Sequence, residues 1–131
     1  MVAVLVDHNI EGQAALLWEE VAAQGWLELV EMTLITFTDA GLPRDTPDRA
    51  LWRFAQERDM LLLTANRNMT GADSLERTIR EESVPTSLPV ITIGRSDRIE
   101  ERDYRRRCAE WLVDIVLYLD RYRGGRRLFI P

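Results

Sequence analysis

The chain opens on an unbroken apolar run, Val2-Ala3-Val4-Leu5-Val6, which is rich in β-branched residues and ends at Asp7. Such a run predicts a strand covered on both faces, as in a parallel sheet. Over 11–24 the spacing becomes helical: Ala14, Leu17, Trp18, Val21 and Ala22 share a stripe, and Gly25 supplies the stop. Residues 27–37 read again as a strand, and Asp39 to Asp45, with Gly41 and Pro43, as a loop. Thr46-Pro47-Asp48 predicts a helix start: a capping threonine, a proline at the first helical position and an acid at the positive end of the dipole. That helix carries Leu51, Phe54 and Ala55 inward. Met60 to Leu63 is the next buried strand and Thr64 to Gly71 a polar loop. Asp73-Ser74-Leu75-Glu76 resembles a capping box opening a helix that runs to about Ser83. After a linker from Pro85 to Pro89, Val90 to Ile93 forms another strand, ended by Gly94. The longest helix spans about 100–122, with Tyr104, Cys108, Trp111, Leu112, Ile115, Tyr118, Leu119 and Tyr122 on its apolar side. Gly124-Gly125 breaks it, and Leu128-Phe129-Ile130 is an apolar tail expected to pack or pair.

Strands alternating with helices imply an α/β fold: a three-layer α/β/α sandwich around a mostly parallel sheet. In such sheets, sites form beyond the carboxyl ends of the strands, where the strand order reverses. Polar residues cluster at those ends here: Asp7-His8-Asn9 after the first strand, and Thr64-Ala65-Asn66-Arg67-Asn68 after the leucine-rich one.

At 131 residues, with 46% hydrophobic and 30% charged, the chain is expected to be one domain, 1–131. A chain of that size buries well over half of its unfolded surface and needs no bridge or metal to fold. Its one cysteine, Cys108, makes no internal disulfide, which suits a reducing compartment. The opening apolar run is too short for a signal peptide and no later stretch would span a bilayer, so a soluble, cytoplasmic protein without a membrane partner is expected. Charge is unevenly placed. Residues 1–94 hold 7 Arg against 15 acids, a balance of -8, whereas residues 95–131 hold 10 Arg against 7 acids, or +3. An acidic body beside a basic third is compatible with a cation pocket next to a phosphate-binding edge, and equally with a solvated face of ion pairs.

Carboxylates from several strand ends, with amides between them, suit a hard divalent cation such as Mg2+ or Mn2+. Such a cation can activate water and stabilise a leaving oxygen in phosphodiester cleavage. No glycine-rich phosphate loop competes, and one His with one Cys makes neither a zinc set nor a thiol nucleophile's pair. The candidates are Asp7, Asp48, Asp73, Asn66 and Asn68, with Asp7, Asp48 and Asp73 as metal ligands and Arg67 as a phosphate contact. Each has a structural counterpart. Asp7 could cap a turn, Asp48 could serve a helix dipole, Asp73 could be an N-cap, and the asparagines could accommodate a turn. Asp45 rivals Asp48, and His8 reads as a neighbour of the site.

Three segments together are similar to the PIN-like nucleases. Val4-Leu5-Val6-Asp7-His8-Asn9-Ile10 resembles their opening, where the strand ends in Asp-Glu-Asn-Leu. Asp45-Thr46-Pro47-Asp48 with Ala50-Leu51 and Phe54-Ala55 resembles their second acidic motif. Leu61-Leu62-Leu63-Thr64-Ala65-Asn66-Arg67-Asn68-Met69 resembles their third, usually Leu-Leu-Thr-x-Asp-x-Asp-Phe. The resemblance covers residues 2–94. It implies a Mg2+- or Mn2+-dependent ribonuclease acting on RNA, with kinship to toxins of toxin–antitoxin pairs and an antitoxin-like protein partner. This chain departs from that pattern at His8, Asn66 and Asn68, where the family has acids. Amides add no negative charge, so weaker metal binding follows, and with it an alternative: an inactive module that binds a protein or nucleic acid. An unrelated flavodoxin-like domain would share the strand-end acids but not the later motifs. The four Trp and the aromatic-bearing final helix suggest apolar surface that a homodimer could cover.

Overall fold

The computed structural model describes residues 1–67 and 71–131. Five strands, β1 (Val2–Val6), β2 (Met32–Ile35), β3 (Met60–Thr64), β4 (Val90–Ile93) and β5 (Arg127–Ile130), form one sheet in the order β2-β1-β3-β4-β5. Every neighbouring pair is parallel. Among the described residues there are six helices: α1 (Glu11–Ala23), α2 (Phe37–Ala40), α3 (Asp48–Glu57), α4 (Leu75–Glu82), α5 (Arg102–Leu117) and α6 (Leu119–Tyr122). The expected three-layer α/β/α sandwich is therefore present. None of these helices is long and apolar enough to cross a membrane.

Strand pleating divides the core between two layers. Val4, Val6, Leu61, Leu63, Ile91 and Ile93 point to one face, where Ala14, Leu17 and Val21 of α1 meet Cys108, Leu112 and Ile115 of α5. Leu5, Leu62 and Val90 point to the other, against Leu51, Trp52 and Ala55 of α3 and Leu75 and Ile79 of α4. The chain leaves β1 toward β2 on one side and β3 toward β4 on the other. The order therefore reverses between β1 and β3, and sheets of this kind form their binding crevice beyond the carboxyl ends of the strands at such a point.

Several elements differ from the sequence-based expectation. The strand expected over 27–37 is only Met32–Ile35. Gly25 takes a left-handed φ of 78°, Trp26–Glu28 turn as a 3-10 helix, and the Val30 amide donates to the Trp26 carbonyl. After the strand, Thr36 and Asp39 form a reciprocal capping box that starts α2 at the end of the expected strand and carries it into the expected loop. Pro47, not Thr46, precedes the first helical residue of α3; the Thr46 hydroxyl donates to the Pro43 carbonyl instead. Trp52 is buried in α3, while Phe54 is half-buried under the Arg58 guanidinium. Ser74, not Asp73, caps α4, accepting from the Arg77 amide. In α1 the buried stripe takes in Glu20 rather than Ala22, because Arg105 of α5 reaches Glu20 at 3.3 Å. The long last helix stops at Leu117, with Tyr118 at φ -113° separating α5 from the single turn of α6. Trp111 and Tyr118 lie on its exposed side, at 52% and 42%. The apolar tail is a full strand: β5 pairs with β4 from Val90↔Arg127 to Ile93↔Ile130.

Candidate functional site

Asp7 is the first residue beyond β1. Its amide still donates to the Leu63 carbonyl, so the backbone is held to β3 as the strand ends. Its carboxylate then caps the next turn weakly, accepting from the Asn9 amide at 3.4 Å. The other carboxylate oxygen accepts the Thr64 hydroxyl at 2.7 Å. Thr64 ends β3 on the α3–α4 face and is fully buried, so its hydroxyl must be satisfied internally. It accepts in turn from the Asn66 amide at 2.9 Å.

Asn66 carries the chain of bonds onward. Its side-chain amide donates to Asp48 Oδ2 at 3.0 Å. That same oxygen accepts the Leu75 backbone amide at 3.1 Å. Asp48 begins α3 and Leu75 begins α4, so the carboxylate of one helix start caps the amide of the other. Asp7, Thr64, Asn66 and Asp48 are thus one continuous polar array spanning β1, β3, α3 and α4. It occupies the crevice where the strand order reverses.

Among the described residues, Asp73 is bound by Arg49 rather than by that array. Asp73 is 70% exposed at its side chain and pairs with Arg49 at 3.0 Å. Arg49 also binds Glu81, Glu82 and the Ala72 carbonyl. Its hydrogen bonds to these carboxylates, Glu81 first, raise its already high pKa further. Asp45 is exposed, and Asp48 is the acid that Asn66 meets. Arg67 is exposed beside the array. Asn68 lies outside the described residues. His8 is engaged by other groups: Arg44 Nε donates to His8 Nε2 at 3.1 Å, which leaves Nδ1 as the donor facing Glu11 at 3.2 Å. Much of the basic C-terminal third is internally paired, Arg95 with Asp97, Arg98 with Glu101, Arg105 with Glu20 and Arg123 with Asp120.

One residue of the site carries no local sequence signal. Arg127, at the start of β5, is 9% exposed at its side chain and lies along the sheet. Its Nη1 donates to the Asn66 carbonyl at 2.7 Å and to the Thr92 hydroxyl at 2.8 Å. Its Nε donates to Glu76 at 3.0 Å. The third nitrogen, Nη2, is buried and has no hydrogen-bond partner among the described residues. The trace in the sequence is parity alone. In a strand whose Leu128 and Ile130 face α5, residue 127 must point to the opposite face, where a charge needs an acid.

The donor set is all oxygen and amide, with two carboxylates. Mg2+ commonly takes one or two protein carboxylates and completes its shell with water and substrate phosphate, so the array fits such an ion in kind. Among the described residues, no three His, Cys, Asp or Glu side chains gather closely enough to hold a metal by themselves. Comparison with protein families, characterised proteins and solved structures finds no match to this chain.

Proposed function

We propose that this protein is a Mg2+- or Mn2+-dependent nuclease that hydrolyses RNA phosphodiester bonds at the Asp7–Asp48 array. One observation carries the reading. Two carboxylates distant in sequence, Asp7 and Asp48, are joined through Thr64 and Asn66 in the crevice where doubly wound sheets bind their ligands. The similarity of residues 2–94 to PIN-like nucleases points the same way. Asp7 and Asp48 would hold the cation, which supplies Lewis acidity and a water of lowered pKa when bound. Thr64 and Asn66 hold the two carboxylates in register and shield neither from solvent completely, since Asp7, Asp48 and Asn66 are all partly exposed. Arg67 meets a substrate phosphate from the rim.

A specific observation supports a second reading, a non-catalytic module that binds a protein such as an antitoxin, or nucleic acid. Asp48 Oδ2 already accepts two protein hydrogen bonds, and Asp73 is engaged by Arg49. The two readings separate in one experiment. Purified protein is incubated with labelled RNA and Mn2+, wild type beside Asp7→Asn. The nuclease reading expects cleavage by the wild type and at least a hundredfold loss in the variant, with its melting temperature in the absence of metal little changed. Equal cutting by both, or none by the wild type at millimolar Mn2+, would sink the nuclease reading and leave the binding module.

A further inference from the structure

Residues 95–131 lie beyond the segments that resemble a nuclease, yet one of them reaches into the array. We propose that Arg127 is a positioning residue: through the Asn66 carbonyl it fixes the loop leaving β3, and so aims the Asn66 side-chain amide at Asp48. The proposal rests on the reading that the Asp7–Asp48 array is the working site.

The geometry supports this at three points. First, Nη1 donates to Asn66 and to Thr92 at once, which locks the exit of β3 to the end of β4. Second, Nε holds Glu76, one residue after the Leu75 amide that binds Asp48. A single planar guanidinium therefore fixes both groups that converge on Asp48 Oδ2, the Asn66 amide from one side and the start of α4 from the other. Lysine, a point charge without the fork, cannot make both contacts in the same plane. Third, Nη2 is buried and has no hydrogen-bond partner among the described residues. Breaking a local rule in this way is expected where geometry serves a site.

The test reads Asn66 directly. In 15N-labelled protein, the side-chain amide of Asn66, assigned by its loss in Asn66→Ala, is compared in wild type, Arg127→Gln, Arg127→Lys and Leu128→Ala. Leu128 packs on the α5 side of the same strand and is the control for merely loosening β5. The expected result is that both Arg127 variants move the Asn66 amide signals toward those of Asp48→Asn, while Leu128→Ala leaves them in place. Mn2+ affinity, measured with the metal alone, should fall about tenfold in Arg127→Gln and less than twofold in Leu128→Ala. Arg127→Lys keeps length and charge and answers the question if the glutamine variant fails to fold. Asn66 signals unmoved in the Arg127 variants overturn the proposal whatever the metal does. Signals that move as expected, in a wild-type protein that takes up no Mn2+, uphold the positioning role and overturn the metal-dependent reading instead.

Discussion

Thr64 shows how much of the array rests on single atoms. Its hydroxyl, buried from solvent, donates to Asp7 and accepts from the Asn66 amide. Thr64→Val keeps the shape and removes the hydroxyl, and should cost about 1–3 kcal/mol by leaving buried polar groups unmatched. The check is the urea midpoint at unchanged slope. Cys108 makes the opposite case. Burial pushes its thiol up to about 11, against a smaller lowering by a hydrogen bond with Tyr104. At neutral pH it should therefore resist a thiol reagent in the folded protein and react fully in denaturant. Asp7 was legible in the sequence because a lone acid ending an apolar run stands out within a few residues. Arg127 was not, since Asn66, Thr92 and Glu76 become its neighbours only when three strands and α4 are assembled.

At the scale of elements, α1 and α5 are joined through Glu20 and Arg105, a pair the apolar stripe alone did not announce. Glu20 is 5% exposed. A hydrogen bond from Gln24, and then Arg105, holds its carboxyl below the ordinary 4.5. A depressed carboxyl stabilises the fold fully above its unfolded value and loses that contribution as pH falls through the folded one. Arg105→Met leaves Glu20 buried without its cation and should cost about 3 kcal/mol at pH 7. Melting curves of the two proteins should draw together as the pH falls below 4.5. The helix starts teach a related lesson. Asp73-Ser74 offers two capping residues in a row, and only the assembled structure selects Ser74, because Arg49 draws Asp73 away. Ser74→Ala should lower stability by about 1 kcal/mol, measured in the same melts. The shortening of the strand expected over 27–37 has a similar cause. The side chains of Trp26 and Leu27 fold back onto the α1 layer, and a capping box at Thr36 ends the extended run.

For the whole molecule, the alternation of apolar runs and helical stripes was enough to give the layers. It could not give the order of the strands, which depends on pairings between distant segments. That order brings Asp7, Thr64 and Asn66 to one crevice. A metal bound there would be seen globally. At one hundred times its dissociation constant, an ion that binds only the folded chain adds about 2.7 kcal/mol, or a rise of about 10 °C in melting temperature for a chain of this size. Thermal melts in Mn2+ should show that rise in the wild type and lose it in Asp7→Asn.

The parallel pairing of β5 with β4 also sets an order of events during synthesis. Asp7, Asp48, Thr64 and Asn66 all precede residue 127 in the chain, so a ribosome-bound segment can hold every carboxylate of the array before Arg127 has been made. Such a segment has β4 as an open edge, with the Thr92 hydroxyl and the Asn66 carbonyl unclaimed by any guanidinium. Of the five strands described, β5 is thus the one translated after all the others, and a nascent chain carries both carboxylates of the array before it carries the arginine that reaches them.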